Sequence, residues 1–82
     1  MNKITAVIIE DEIPAARRLN KIINEIRPEW QVTILPGSVE KSVEWFNKNP
    51  HPDIVFLDIQ LTDGISFTFI EQARPESTII FT

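Results

Sequence analysis

The sequence contains no cysteine and no tyrosine, a single histidine and only two glycines among its 82 residues. Without cysteine, neither a disulfide framework nor a thiolate metal site can form. No apolar run approaches the roughly 18 residues that a membrane span requires. The segment Met1–Thr5 leads directly into a strand-like run and not into the apolar core of a signal peptide. A cytoplasmic location without membrane contact is therefore expected.

Positive charge is also scarce. Eight basic residues stand against twelve acidic ones, which gives a net charge of −4 and an isoelectric point near 4.8. This balance argues against a basic face that binds nucleic acid within the segment itself. The hydrophobic fraction of 43% and the charged fraction of 24% are ordinary for a globular protein. A chain of this length forms one small domain at most.

Apolar runs alternate with amphipathic segments along the chain. Four runs have the length and the composition of buried strands: residues 4–9, 30–35, 53–58 and 77–81. Three intervening segments carry apolar side chains at helical spacing: residues 15–26, 38–49 and 66–73. This order with short connections predicts parallel strands joined by right-handed crossovers, with helices on both faces. The predicted fold is a doubly wound α/β sheet that occupies residues 1–82.

Several local features follow from residue type. Ser38 is suited to be a helix N-cap, and Pro36-Gly37 ends the strand before it. Phe67 and Ile70 are expected to face the interior from the third helix. His51 lies in a loop between two prolines, where we expect a solvated side chain.

Acidic residues follow two of the predicted strands. Glu10 and Asp11 come directly after one strand, and Asp58 ends another. Reactive groups of open α/β sheets lie just outside the carboxyl ends of the strands, so adjacent strands would bring these three carboxylates together. Clustered carboxylates repel one another, and the repulsion raises at least one pKa unless a cation intervenes. Mg²⁺ is the expected cation, because it binds one or two carboxylates and shares a phosphate.

A carboxylate at this position also has a chemical use. An aspartate can act as a nucleophile and form an acyl phosphate. Asp58 alone would be read equally well as a cap of the following loop, but Glu10 and Asp11 beside it favour a functional role. Thr82, at the end of the last predicted strand, would offer its hydroxyl to a phosphoryl oxygen.

Together these motifs resemble the receiver domain of two-component response regulators. The resemblance rests on Val7-Ile8-Ile9-Glu10-Asp11-Glu12 with Pro14, on Val55-Phe56-Leu57-Asp58 and on Asp63-Gly64, and it covers nearly the whole chain in order. It implies a flavodoxin-like topology of which four strands and three helices are present. The family's Lys lies on a later strand, and the run 77–81 would be an exposed apolar edge. The chain is therefore expected to be the N-terminal part of a receiver domain.

The resemblance also implies a role for individual residues. Asp58 would be the phosphoacceptor, and Thr82 would be the switch hydroxyl. Asp11 would be the principal ligand of Mg²⁺. Asp58 and Glu10 would be further acids of the metal site, and the backbone carbonyl of Gln60 would complete the protein ligands. Glu10 departs from the family, which commonly has aspartate there. The stretch Glu10–Leu19 is most similar to regulators that carry a LytTR-type DNA-binding domain.

The implied function is a phosphoryl-accepting signalling switch. A sensor histidine kinase would phosphorylate Asp58 with Mg²⁺, and an output domain outside this chain would bind DNA and control transcription. A homodimer is one expected assembly, and the domain would assist its own phosphorylation without being a turnover enzyme. Two alternatives stay open. One is a Mg²⁺-dependent phosphohydrolase with an aspartate nucleophile, although Gln60 stands where such enzymes have a second acid. The other is a receiver-like interaction module that is not phosphorylated.

Overall fold

The computed structural model of the chain describes residues 3–61 and 64–82. In chain order these residues form β1 (Thr5–Glu10), α1 (Ile13–Ile26), β2 (Gln31–Pro36), α2 (Val39–Lys48), β3 (Ile54–Leu57), β4 (Gln60–Leu61), β5 (Gly64–Ile65), α3 (Ser66–Ala73) and β6 (Thr78–Phe81). The predicted alternation of strands and helices is confirmed. Among the described ranges, no helix has both the length and the hydropathy of a transmembrane span.

Four of the strands form one parallel sheet in the order β2-β1-β3-β6. β1 is central and pairs with β2 on one side and with β3 on the other, and β6 pairs with the outer side of β3. The chain therefore crosses over between every pair of neighbouring strands, as in a doubly wound fold. The carboxyl ends of β1, β3 and β6 lie side by side at one edge of the sheet.

The segment after β3 differs from the prediction, which placed a plain loop there. β4 and β5 form a short antiparallel ribbon in which Gln60 pairs with Ile65 and Leu61 pairs with Gly64. The ribbon is closed by a hydrogen bond of 3.0 Å from the backbone N–H of Ser66 to the carbonyl of Ile59. Strands of two residues are too short to show an alternation of apolar and polar side chains, so periodicity could not reveal them. Asp63, part of the Asp63-Gly64 motif, lies outside the described residues.

Helices cover both faces of the sheet. α2 and α3 pack on one face around a core of eight buried side chains: Val7, Ile9, Leu35, Val39, Phe46, Val55, Leu57 and Phe69. α1 packs on the other face, where Ala16 and Ile23 are buried against Ile8. This face is less completely covered, since Ile22 is 45% exposed and Ile26 is 60% exposed.

The inward side of α3 was predicted incorrectly. Phe67 is 53% exposed, whereas Phe69 is fully buried and packs edge-to-face against Phe46 of α2. Ile70 is partly buried against the same core, as expected. In a helix of eight residues that contains four consecutive aromatic or β-branched positions, the spacing leaves two possible apolar faces. The contact with α2 decides between them.

The amino ends of the strands are joined by side-chain hydrogen bonds. One carboxylate oxygen of Asp53 accepts from the backbone N–H of Thr5 at 2.9 Å and from its hydroxyl at 3.2 Å. His51, which was expected to be solvated, is half-buried and makes specific contacts. Its Nδ1 accepts a hydrogen bond of 3.1 Å from the backbone N–H of Glu76, and its ring lies 5.1 Å from that of Phe46. His51 therefore ties the start of β3 to the turn before β6.

Candidate functional site

The register of the parallel sheet brings the acidic residues to one edge. Glu10 is the last residue of β1, and Asp58 directly follows β3, whose last residue pairs with Ile9. The backbone N–H of Asp58 continues the ladder by donating to the carbonyl of Ile9 at 3.0 Å. Asp11 is the first residue beyond β1. Two adjacent strands therefore end at the same level, each with an acidic side chain at its tip.

The three carboxylates form a compact cluster. One oxygen from each of Glu10, Asp11 and Asp58 lies within 4.8 Å of the other two. Glu10 and Asp58 are half-buried, and Asp11 is exposed. No other group of three potential metal-ligating side chains occurs in the part of the chain that the structure describes. The predicted convergence of these three residues is confirmed as geometry.

Glu10 shows the electrostatic consequence of this crowding. Its pKa is raised above the ordinary value of 4.5, first by partial burial and then by the charge of Asp58, a hydrogen bond shared with the Asp58 side chain and the charge of Asp11. A hydrogen bond from the backbone N–H of Glu12 to Oε1 of Glu10, 3.3 Å long, acts in the opposite direction but is outweighed. The cluster therefore favours either a shared proton or a neutralising cation.

The donor set fits Mg²⁺. All three groups are carboxylates, which are the hard oxygen ligands that this cation prefers. Ligand oxygens on opposite sides of a Mg²⁺ octahedron are about 4 Å apart, since each bond is 2.0–2.1 Å long. Adjacent ligand oxygens are only about 2.9 Å apart, so the three oxygens of the cluster, which lie within 4.8 Å of one another, would move slightly closer together around the cation. Glu10, Asp11 and Asp58 are thus able to hold the cation, with water completing the shell.

Two further predicted residues lie near the cluster. The backbone N–H of Thr82 donates to the carbonyl of Leu57 at 3.0 Å, which places Thr82 beside the residue that precedes Asp58. Thr82 also lines, with Glu10 and Arg18, a groove of about 280 Å³ on the α1 side of the sheet. Gln60 begins β4, two residues after Asp58. The roles of the Thr82 hydroxyl and of the Gln60 carbonyl stay predictions.

One residue of the site was missed by sequence reasoning, which gave Gly37 only the task of ending a strand. Gly37 is buried, and a Cβ atom on it would overlap the backbone nitrogen, the Cα and the Cβ of Asp11. Beside this contact lies a groove of about 450 Å³ that extends from Glu10 and Asp11 to Lys41 on α2. A glycine directly after the strand that neighbours β1 was the pattern that could have revealed the contact, because its position matches that of Asp11.

Comparisons with known proteins support the fold. No protein-family model and no curated protein sequence matches the chain. Among solved structures, the MaeR response regulator bound to beryllium trifluoride is similar with a TM-score of 0.81 and 16% identity over 96% of this chain. The response regulator PhyR from Brucella abortus has a TM-score of 0.79 and 22% identity over 98% of the chain. A CheY-like receiver domain from Methylobacillus flagellatus has a TM-score of 0.78 and 23% identity over 98% of the chain.

These similarities concern only part of each relative. The chain spans 66% of the MaeR structure, 33% of the PhyR structure and 67% of the Methylobacillus flagellatus structure. At such identities the likeness establishes the fold, which is that of response regulator receiver domains. The predicted flavodoxin-like α/β architecture is thereby confirmed.

Proposed function

We propose that this chain is the phosphoryl-accepting part of a two-component signalling switch, with Asp58 as the phosphoacceptor. The observation that carries the proposal is the cluster of Glu10, Asp11 and Asp58, whose oxygens lie within 4.8 Å of one another at the carboxyl edge of a receiver-type sheet. In open α/β sheets this edge is where ligands bind. A nucleophilic carboxylate beside two acids that suit Mg²⁺ matches phosphoryl transfer better than a structural role.

The reaction would proceed by nucleophilic substitution at phosphorus. A carboxylate oxygen of Asp58 attacks the phosphoryl group of a phosphohistidine on a sensor kinase, and the bond between phosphorus and the imidazole nitrogen breaks. The electron pair stays on the nitrogen of the histidine, and Asp58 becomes an acyl phosphate. Mg²⁺ bound by Glu10, Asp11 and Asp58, with the carbonyl of Gln60, would supply positive charge that offsets the negative charge of these groups.

The response of the domain would begin at Thr82. The hydrogen bond of its backbone N–H to the carbonyl of Leu57, next to Asp58, supports a role for its hydroxyl at a phosphoryl oxygen. The new charge would then bias the position of β6 and the surface beyond it. An output domain outside this chain would read that change and control transcription through DNA, in the cytoplasm, with a homodimer as one assembly. The domain would promote its own phosphorylation and would not be a turnover enzyme.

One experiment tests the proposal against its alternatives. The protein is incubated with acetyl phosphate and Mg²⁺ and measured by intact mass spectrometry, beside Asp58→Ala and a control, Asp53→Ala, at the other end of β3. We expect one phosphoryl adduct on the parent protein and on the Asp53 variant, and none on the Asp58 variant. Repeated release of phosphate in molar excess over protein would favour the phosphohydrolase. Absence of any adduct on folded protein would favour an interaction module.

A further inference from the structure

The turn between β2 and α2, formed by Gly37 and Ser38, lies against the backbone of Asp11. We propose that Gly37 is a positioning residue of the cation site: its missing side chain allows this turn to hold Asp11 within the acidic cluster. The inference rests on the proposed function, because it assigns Asp11 to a cation. It adds a residue that carries no ligand atom of its own and that lies 26 positions along the chain from the residue that it positions.

The contact follows from the register of the sheet. Pro36, the last residue of β2, pairs with Glu10, the last residue of β1. The next residue on each strand, Gly37 and Asp11, therefore leaves the sheet at the same level. Neighbouring strands are separated by less than 5 Å, which leaves little room between two backbones that converge beyond the last pair. A Cβ atom on Gly37 would occupy the same space as the nitrogen, the Cα and the Cβ of Asp11.

The glycine is required by space and not by backbone conformation. Among the described residues no glycine has a positive φ, so Gly37 adopts a conformation that any residue can reach. Close approach of another backbone is the second reason for a glycine in a turn. The consequence is specific, because the three atoms nearest to an added Cβ all belong to Asp11.

Hydrogen bonds hold the turn of Gly37 and Ser38 in place. The Ser38 hydroxyl accepts from the backbone N–H of Lys41 at 3.2 Å, and the Ser38 carbonyl accepts from the backbone N–H of Ser42 at 3.0 Å. These bonds fix the turn to the first turn of α2. The helix is in turn held by Val39 and Phe46, which are both buried in the core.

If a larger residue replaced Gly37, Asp11 is the residue that would move. It lies in the two-residue link between β1 and α1, and its side chain is exposed. A shift of the order of an ångström would take its carboxylate away from Glu10 and Asp58. Mg²⁺ is sensitive to such a shift, because it demands a near-ideal octahedron with bonds of 2.0–2.1 Å.

The first test compares cation affinity in three proteins: the parent, Gly37→Ala and Val43→Ala. Val43→Ala is the matched control, since it removes partly buried volume on the same helix at a residue that takes no part in holding the turn against Asp11. Affinity for Mn²⁺ and Mg²⁺ is measured by isothermal titration calorimetry at a temperature where circular dichroism shows all three to be folded. We expect the Gly37→Ala protein to bind at least tenfold more weakly, and the Val43→Ala protein to bind within twofold of the parent. Equal affinities in the parent and Gly37→Ala would overturn the inference.

A second measurement uses the parent protein alone and does not depend on the folding of a variant. Amide resonances are followed by NMR during a titration with MgCl₂. We expect the Gly37 amide to shift with the same midpoint as the amides of Asp11 and Asp58, while the amide of His51 at the opposite edge stays constant. Shifts at Asp11 and Asp58 without any at Gly37 would overturn this inference and leave the proposed function intact. Absence of a saturable shift at all three would overturn the cation site of the proposed function, and the inference with it.

Discussion

Replacing Asp58 with asparagine is expected to stabilise the cation-free domain. The substitution keeps the shape of the side chain and removes one of three negative charges that converge at the edge of the sheet. Asp58 shares a hydrogen bond with Glu10, and an amide nitrogen at this position can donate to the Glu10 carboxylate. A residue that we expect to be essential for phosphorylation therefore lowers the stability of the folded state.

The magnitude follows from the spacing of the cluster. At the upper limit of 4.8 Å between ligand oxygens, two unit charges repel each other by about 0.9 kcal/mol in the dielectric of water. Asp58 takes part in two such pairs, with Glu10 and with Asp11. Because all three groups are accessible to solvent to some degree, screening keeps the total near the value for water. The Asp58→Asn protein should thus be more stable by about 1–2 kcal/mol, which is a large part of the stability of a small domain.

Urea unfolding followed by circular dichroism, at pH 7 and low salt, measures this difference. In EDTA the midpoint should be higher for Asp58→Asn than for the parent. In MgCl₂ at ten times its dissociation constant the parent should gain about 1.4 kcal/mol, and the gap should close because the variant has lost a ligand. Asp53→Asn is the control on the same strand. It weakens the hydrogen bonds to Thr5 and should lower stability equally with and without Mg²⁺. An Asp58→Asn protein that is less stable than the parent in EDTA would refute the reasoning.

Three further substitutions test other parts of the structure. The Glu10→Gln protein should be more stable than the parent at pH 7 in EDTA and as stable as the parent near pH 4. The folded state raises the pKa of Glu10 above 4.5, so the protonated side chain stabilises the fold below pH 4.5. This stability is lost in the parent as the pH rises through the pKa of the folded state, whereas the glutamine variant keeps it. Urea midpoints at the two pH values test this, and an unchanged difference would contradict it. Arg74→Gly should raise stability by about 0.5–1 kcal/mol in thermal unfolding, because Arg74 has a φ of 46° at the end of α3. A lower melting temperature would refute the proposed relief of strain. Ser42→Ala should be neutral or stabilising in the same assay, by up to about 1 kcal/mol, since the buried Ser42 hydroxyl has no hydrogen-bond partner among the described residues. A loss of more than about 1 kcal/mol in stability would contradict this, because it would mean that the Ser42 hydroxyl does have a hydrogen-bond partner.

The sequence predicted the sheet and the acidic edge well because both depend on strong, local patterns. β1 and β3 are short apolar runs that end in or are followed by an acid, and α1 has Pro14 in its first turn. Parallel order and handedness then follow from general rules of chain connection, which place the ends of β1 and β3 together. Ser38 was recognised as an N-cap for the same reason, since residue type alone indicates it.

The features that sequence reasoning missed depend on contacts between distant segments. The choice between Phe67 and Phe69 as the buried residue of α3 is made by Phe46 on α2. His51 was expected in solvent, but its hydrogen bond to the backbone N–H of Glu76 exists only after β3 and β6 have paired. The contact of Gly37 with Asp11 likewise appears only when the register of β2 against β1 is known. Each of these three contacts joins segments that are distant in the sequence.

The strand order also explains why the pKa of Glu10 is raised. Glu10 ends the central strand β1, so it has β2 on one side and the end of β3, with Asp58, on the other. Its position at the end of a strand makes its carboxylate partly buried, and burial is the largest cause of its raised pKa. Asp11 lies one residue further along and is exposed. A cation at this edge would offset the electrostatic cost of the partly buried Glu10 carboxylate. Removing the charge of Glu10, as in Glu10→Gln, should therefore stabilise the cation-free fold at pH 7.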